Sequence, residues 1–214
     1  MISPKAVIFD LGKVLLEFDY RIAGRKLAAH AHMPPQALTD LLLQTDLLLN
    51  YETGLTSTTE FFQALCRATG YGGDLSDFAA GFGDIFTPIE PMIALHSELR
   101  RKGYPTYIFS NTNELAVDHV RRTYPFFANF DAHIFSFEHR CMKPSAGLYE
   151  VVEKYSNRSG PEILYLDDRL ENIEAGAARG WQTILHETSE ETRARIEALG
   201  MLDHSAGPTR TTGG

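Results

Sequence analysis

Ala6, Val7, Ile8 and Phe9 form an unbroken apolar run that stops at Asp10 and is followed by Leu11 and Gly12. An apolar run without polar alternation is what a strand needs when both faces of its sheet are covered, so the segment reads as a buried strand of an α/β sheet. In such sheets ligands bind in the crevice beyond the carboxyl ends of the strands. Asp10 is therefore placed for chemistry rather than for folding, and Gly12 closes the turn beside it.

The rest of the chain fits that reading. Residues from about 20 to 88 look helical, and Leu38, Leu41, Leu42, Leu48 and Leu49 make a stripe expected of one amphipathic helix packed in a bundle. From Pro88 onward strand and helix patterns alternate, as in a parallel sheet covered by helices. Met92, Leu95 and Leu99 mark a helix that stops at Gly103, and Tyr104 to Phe109 is a strand entering Ser110-Asn111-Thr112-Asn113. Asn113 or Thr112 caps the next helix. Ala132 to Phe135 is a strand, Leu148, Val151, Val152 and Tyr155 mark a helix, and Glu162 to Asp167 is another strand. Gly180 ends the helix after it, Gln182 to Leu185 is the last strand, and a final helix runs from about Thr188 to Leu199. The expected organisation is a core of residues 1–17 and 89–203, a helical insert of residues 18–88, and a loose tail of residues 204–214.

Composition excludes several classes. The 214 residues carry a net charge of -8, which argues against a nucleic-acid binder that must neutralise phosphates with Lys and Arg. It leaves room for a small phosphate ligand, since one metal ion and one lysine reverse the sign locally. No apolar run approaches the roughly 20 residues of a membrane span. The start, Met1-Ile2-Ser3-Pro4-Lys5, lacks the apolar region of a signal peptide, so the cytoplasm is the expected location. Cys66 and Cys141 stand far apart without metal-ligand spacing and read as inert thiols. His30, His32, His133 and His139 complete no ligand set and read as surface or packing residues.

Four strand ends concentrate the polar chemistry: Asp10, Ser110-Asn111-Thr112, Lys143 and Asp167-Asp168. Singly, each is explained as a turn former, a cap or a solvated charge. Together, at the ends of parallel strands, they suggest a site. Several carboxylates suit Mg²⁺, which takes one or two acids together with waters and substrate phosphate. An Asp carboxylate can attack phosphorus, the Ser110 hydroxyl and nearby backbone N–H groups can bind phosphoryl oxygens, and Lys143 can neutralise charge.

Ile8-Phe9-Asp10-Leu11-Gly12-Lys13-Val14-Leu15, Ile108-Phe109-Ser110-Asn111-Thr112, Lys143-Pro144 and Leu166-Asp167-Asp168-Arg169-Leu170-Glu171-Asn172-Ile173 stand in that order, and with them the chain resembles the haloacid dehalogenase superfamily. Glu52-Thr53-Gly54-Leu55 with Phe61 and Phe62 resembles part of the helical cap common there. The resemblance implies a Rossmann-like parallel sheet core with helices on both faces, an inserted α-helical cap, and a Mg²⁺-dependent hydrolase acting on small phosphate esters through an aspartyl phosphate. It implies Asp10 as nucleophile, Ser110 and Asn111 as phosphate-binding residues, and Lys143 as the charge-stabilising lysine. Asp10, Asp168 and the Gly12 carbonyl would hold Mg²⁺, Asp167 would support it directly or through water, and Asn172 would orient its neighbours.

Most phosphatases of this superfamily carry a second Asp where this chain has Gly12, and use it to protonate the leaving group and activate water. Glycine has no proton to exchange. Three readings follow: a phosphatase resembling the bacterial α-glucose-1-phosphate phosphatase branch, with sugar phosphates whose leaving groups need little protonation; a 2-haloacid dehalogenase-type hydrolase; or a binding module with little catalysis. The paired Asp167-Asp168 favours a metal-using phosphatase over the dehalogenase. Glu17 and Asp19 read as solvated residues at the cap hinge, Trp181 as a packing residue, and Arg169 with Glu171 as a local ion pair. Lys13, Tyr20, Arg21, Tyr51 and Glu52 are the candidate substrate contacts from the cap side.

Overall fold

A computed structural model describes residues 2–203, so the expected loose tail of residues 204–214 lies outside the described residues. Strand β1 (Ala6–Phe9) is fully buried and sits in the middle of a five-stranded sheet. Its neighbours are β4 (Thr106–Ser110) and β6 (Ile163–Asp167), with β5 (Ala132–Phe135) and β7 (Gln182–Leu185) outside them. The order is β5-β4-β1-β6-β7 and every pairing is parallel.

Period-two alternation sends the β1 side chains to two separate cores. Val7 and Phe9 pack with Met92, Leu95 and Leu99 of α6 (Glu90–Arg101), with Val117 and Val120 of α7 (Glu114–Thr123), and with Ile196 of α11 (Ser189–Ala198). Ala6 and Ile8 pack with Leu148, Tyr149 and Val152 of α9 (Ala146–Ser156) and with Ile173 of α10 (Leu170–Ala178). Helices thus cover both faces. Trp181 packs in the second core at 5.3 Å from the Tyr149 ring, and its indole N–H donates to Glu153. Tyr155 departs from the expected apolar face of α9 and is exposed, because only Leu148, Val151 and Val152 of that stripe turn toward the sheet.

Between β1 and α6 the chain forms five helices: α1 (Tyr20–Ala28), α2 (Pro35–Gln44), α3 (Asp46–Glu52), α4 (Thr58–Thr69) and α5 (Leu75–Gly83). They share an apolar cluster of their own around Leu38, Leu65, Phe61, Phe78 and Phe82. Their stem is a two-stranded antiparallel ribbon of β2 (Leu16–Phe18) and β3 (Phe86–Pro88), which is too short to leave a readable alternation in the sequence.

The leucine stripe proves to be two helices rather than one. Thr45 interrupts it, donating to the Leu41 carbonyl at 2.6 Å and capping α3 by accepting from Leu47 N–H at 3.3 Å. A Thr hydroxyl that offers the backbone an alternative bond is a recognised helix stop. Leu38 and Leu42 before the break and Leu48 after it face the core, whereas Leu49 is exposed.

His96 of α6 is buried, hydrogen bonds Thr106 of β4 at 3.0 Å and stacks on Phe130 at 3.9 Å. Burial, with help from Arg100, lowers its pKa to about 4. An unfolded His titrates near 6.5, so between those values the unfolded chain takes up a proton that the folded chain refuses. Stability is therefore lost as pH falls from about 6.5 to about 4, by up to about 3 kcal/mol. Urea unfolding of His96→Gln across this window is expected to show a shallower fall than the unsubstituted protein.

Candidate active site

The parallel register brings the polar residues together. Phe9 pairs with Ile108 on one side and Leu166 on the other, so Asp10 leaves β1 beside the end of β6, and its N–H donates to the Leu166 carbonyl at 2.9 Å. Ser110 and Asp167 are the last residues of β4 and β6. Lys143 arrives from the segment between α8 (Ser136–His139) and α9, with a cis bond to Pro144.

The Lys143 ammonium is the centre of the arrangement. It lies 2.6 Å from Asp167 Oδ2 and 3.0 Å from Asp10 Oδ1, and donates to the Phe109 carbonyl at 2.9 Å. The Phe109 and Tyr165 rings flank it at 5.0 and 5.8 Å. Asp167 is saturated by protein donors: Lys143 and the Tyr165 hydroxyl on Oδ2, and the Arg169 N–H at 2.8 Å with the Asn172 amide at 2.9 Å on Oδ1. Asn172 is thus an orienting donor. Tyr165 was not singled out from the sequence, although it lies two residues before Asp167 on one strand and so faces the same way.

The charges set one another. Burial raises the Asp10 carboxyl to about 7, helped by Asp167 and Asp168 and opposed by Lys143. Burial acts upward on Asp167 too, but Lys143 and the hydrogen bonds of Tyr165 and Asn172 overcome it, and the net direction is down. Lys143 is pushed down by burial and more than restored by Asp10 and Asp167, so it stays charged. Asp168 is raised by burial and by Asp167.

Asp10, Asp167 and Asp168 each offer an oxygen, all within 4.8 Å of one another, the one such acidic, His or Cys group among the described residues. Three carboxylates facing a single ammonium form an all-oxygen, net negative donor set, which suits a hard divalent cation. The described histidines take no part. His133 Nε2 donates to the Phe127 carbonyl at 2.8 Å, and His30 packs against Tyr71.

Above these groups lies a cavity of about 270 Å³. Asp10, Gly12, Ser110, Asn111, Lys143 and Asp168 line its floor, while Leu43, Leu48 and Glu52 line it from the inserted helices. Asn111 lines the cavity and also holds the lysine segment: the Lys143 backbone N–H donates to its Oδ1 at 2.8 Å and its Nδ2 donates to the Lys143 carbonyl at 3.0 Å. Of the cap-side candidates, Lys13, Tyr20 and Glu52 line the cavity. Arg21 does not, being paired with Asp19 at the start of α1, and Tyr51 is stacked on Phe61 with its hydroxyl accepting from Leu115 N–H. Glu17 pairs with Lys13, and Arg169 with Glu171.

Ser136, unmarked by any motif, joins the two halves. Its hydroxyl donates to the Glu52 carbonyl at 2.5 Å and accepts from Thr112 N–H at 3.0 Å. Nearby Gly54 has φ +73, and a Cβ there would meet the Phe137 carbonyl at 2.1 Å, so only glycine permits this approach of helices to sheet.

Residues 4–180 match the haloacid dehalogenase-like hydrolase family. The chain is a haloacid dehalogenase-like hydrolase. The hydrolase is 26% identical over 181 residues to a sesquiterpene phosphatase of Aspergillus oryzae, covering 82% of this chain and 86% of that one. It is 22% identical over 201 residues to a D-ribitol-5-phosphate phosphatase of Bacteroides thetaiotaomicron, covering 91% and 98%. It shares its fold with a HAD family enzyme of the same bacterium solved with magnesium and inorganic phosphate, at a TM-score of 0.74 and 21% identity over 85% of this chain and 93% of that one.

Losing both Asn111 bonds in Asn111→Ala is expected to cost about 1–3 kcal/mol of folding stability, at about 0.5–1.5 kcal/mol each, read by urea unfolding.

Proposed function

We propose that this hydrolase is a Mg²⁺-dependent phosphatase of small phosphate esters that works through an aspartyl phosphate on Asp10. The observation that carries the reading is the Lys143 ammonium bridging Asp10 and Asp167 at the floor of a cavity, with Ser110 and Asp168 on the same floor. Phosphoryl transfer asks a protein mainly for positioning and for neutralisation of charge on the equatorial oxygens.

In this reading residues 18–88 form the cap over a core of residues 1–17 and 89–203. The Asp10 carboxylate attacks phosphorus, and water later attacks the resulting acyl phosphate. Lys143 and the Ser110 hydroxyl bind the phosphoryl oxygens. Asn111 acts through its hold on the Lys143 backbone, and Asp167 through its hold on the Lys143 ammonium. The carboxylates of Asp10 and Asp168 and the Gly12 carbonyl would hold Mg²⁺, which supplies charge neutralisation for the phosphoryl group. Asp167, with four protein donors on its two oxygens, supports that set from behind. The helical roof excludes water around the reacting group.

The family resemblance and the ribitol-phosphate phosphatase relative support sugar and polyol phosphates as substrates. A second reading has an observation of its own: Leu11, Phe18, Leu43, Leu48, Phe86 and Met142 make much of the cavity wall apolar, which suits the phosphate ester of an apolar alcohol. A panel of sugar, polyol and prenyl phosphates, read by phosphate release with Mg²⁺ and after chelation, separates the two. Release is expected with Mg²⁺ and lost with chelator, whereas metal-independent halide release from 2-haloacids without phosphate release would overturn the reading. Asp10→Asn is expected to abolish turnover with an unchanged circular-dichroism spectrum.

A further inference from the structure

We propose that Glu52, in the helical roof, protonates the leaving alcohol and then accepts the proton of the attacking water, the task for which residue 12 has no side chain. The assignment rests on the phosphatase reading above and adds the residue that completes it.

Residue 12 is not merely lacking a carboxyl; the space beside it is filled. A Cβ on Gly12 would lie 2.8 Å from Phe18 Cε1. The Phe18 ring is itself packed against Tyr20 at 5.8 Å and Phe86 at 6.3 Å, with the Lys13 ammonium 5.1 Å from its centroid. Proton transfer must therefore come from elsewhere in the cavity. An in-line displacement puts the leaving oxygen opposite the Asp10 nucleophile, on the roof side. Among the described residues lining the cavity, the carboxyls are Asp10, Asp168 and Glu52. The first is the nucleophile and the second belongs to the metal set on the floor. Glu52 is the one supplied by the roof.

Its position is fastened to the phosphate-binding segment. The Tyr20 hydroxyl donates to Glu52 Oε1 at 3.1 Å, and the Glu52 carbonyl is held by Ser136, which also holds Thr112 two residues after Ser110. Burial lifts this carboxyl to about 7 against the downward pull of hydrogen bonds from Tyr20 and Asn113, so it exchanges protons near neutrality. The cations around the cavity are Lys13, Lys143 and Arg169, and the Tyr20 phenol is raised by burial and by Glu52, so it stays a donor.

The steps balance as follows. An Asp10 oxygen bonds to phosphorus while the ester P–O bond breaks, and the departing oxygen takes the Glu52 proton. Water then bonds to phosphorus, its proton returns to Glu52, and the Asp10–phosphorus bond breaks to release phosphate.

Full-length Glu52→Gln, assayed with Mg²⁺ on an alkyl phosphate and on p-nitrophenyl phosphate, tests the assignment. A missing general acid costs about 10²- to 10⁴-fold where the leaving group needs a proton, and p-nitrophenolate needs none. The expected result is a loss of kcat/KM on the alkyl ester at least about 10-fold greater than on the aryl ester, by that difference in proton demand. An equal loss on both esters, as a merely anchoring role would give, or no loss on either, overturns it. Should Glu52→Gln fail to fold, Tyr20→Phe unfastens the carboxyl and is read by the same ratio, with an equal loss on both esters again overturning the assignment. Unsubstituted protein that releases phosphate from neither ester overturns the phosphatase reading and this assignment with it.

Discussion

A lysine ammonium buried between two carboxylates holds the site together and conditions everything around it. Removing three ions from water costs several kcal/mol for each, a cost that close pairing and further hydrogen bonds must offset. Lys143 meets that condition through Asp10, Asp167 and the Phe109 carbonyl, and Asp167 through Tyr165, Asn172 and the Arg169 N–H. The pairing is unequal. Asp167 has donors on every side and is driven down, whereas Asp10 keeps a raised pKa because one shared lysine does not cancel its burial and two neighbouring acids. That imbalance separates a carboxylate whose charge the protein balances from one whose charge it does not.

The roof is attached to this floor by contacts of distinct physical cause. Ser136 ties the end of α3 to the loop after β4, Gly54 removes the Cβ that would hold α3 away from Phe137, and the Tyr51 hydroxyl accepts the Leu115 N–H of α7. The β2–β3 ribbon forms the stem, and Phe18 at its end fills the space next to Gly12. Contacts that seat the roof therefore also decide what chemistry the floor can call upon.

Much of the fold was legible because burial on both faces leaves a plain mark. β1 and β6 are unbroken apolar runs ending in acids, and Asn113, Gly103 and Gly180 stop or start helices where their backbone chemistry demands it. Illegible were the features that depend on a partner far away in sequence. Thr45 breaks the leucine stripe by a local hydroxyl bond that competes with helix, and β2 and β3 exist only as a pair. Ser136 and Tyr165 carry no motif, and the two bonds by which Asn111 holds the Lys143 backbone leave no mark in the sequence.

The sequence by itself determined the sheet, its covering helices and the convergence of Asp10, Ser110, Lys143 and Asp167-Asp168, because apolar runs must be buried and parallel strands bring their carboxyl ends to one edge. Tertiary structure alone decided how those groups divide the work. Which oxygen of Asp167 meets Lys143, 24 residues away, what fills the space beside Gly12, and how Tyr20 fastens Glu52, 32 residues away, in the cavity wall depend on contacts that only packing decides. Residue type sets what a side chain can do, but its burial and its partners set whether that capacity is spent on the fold or left for a ligand.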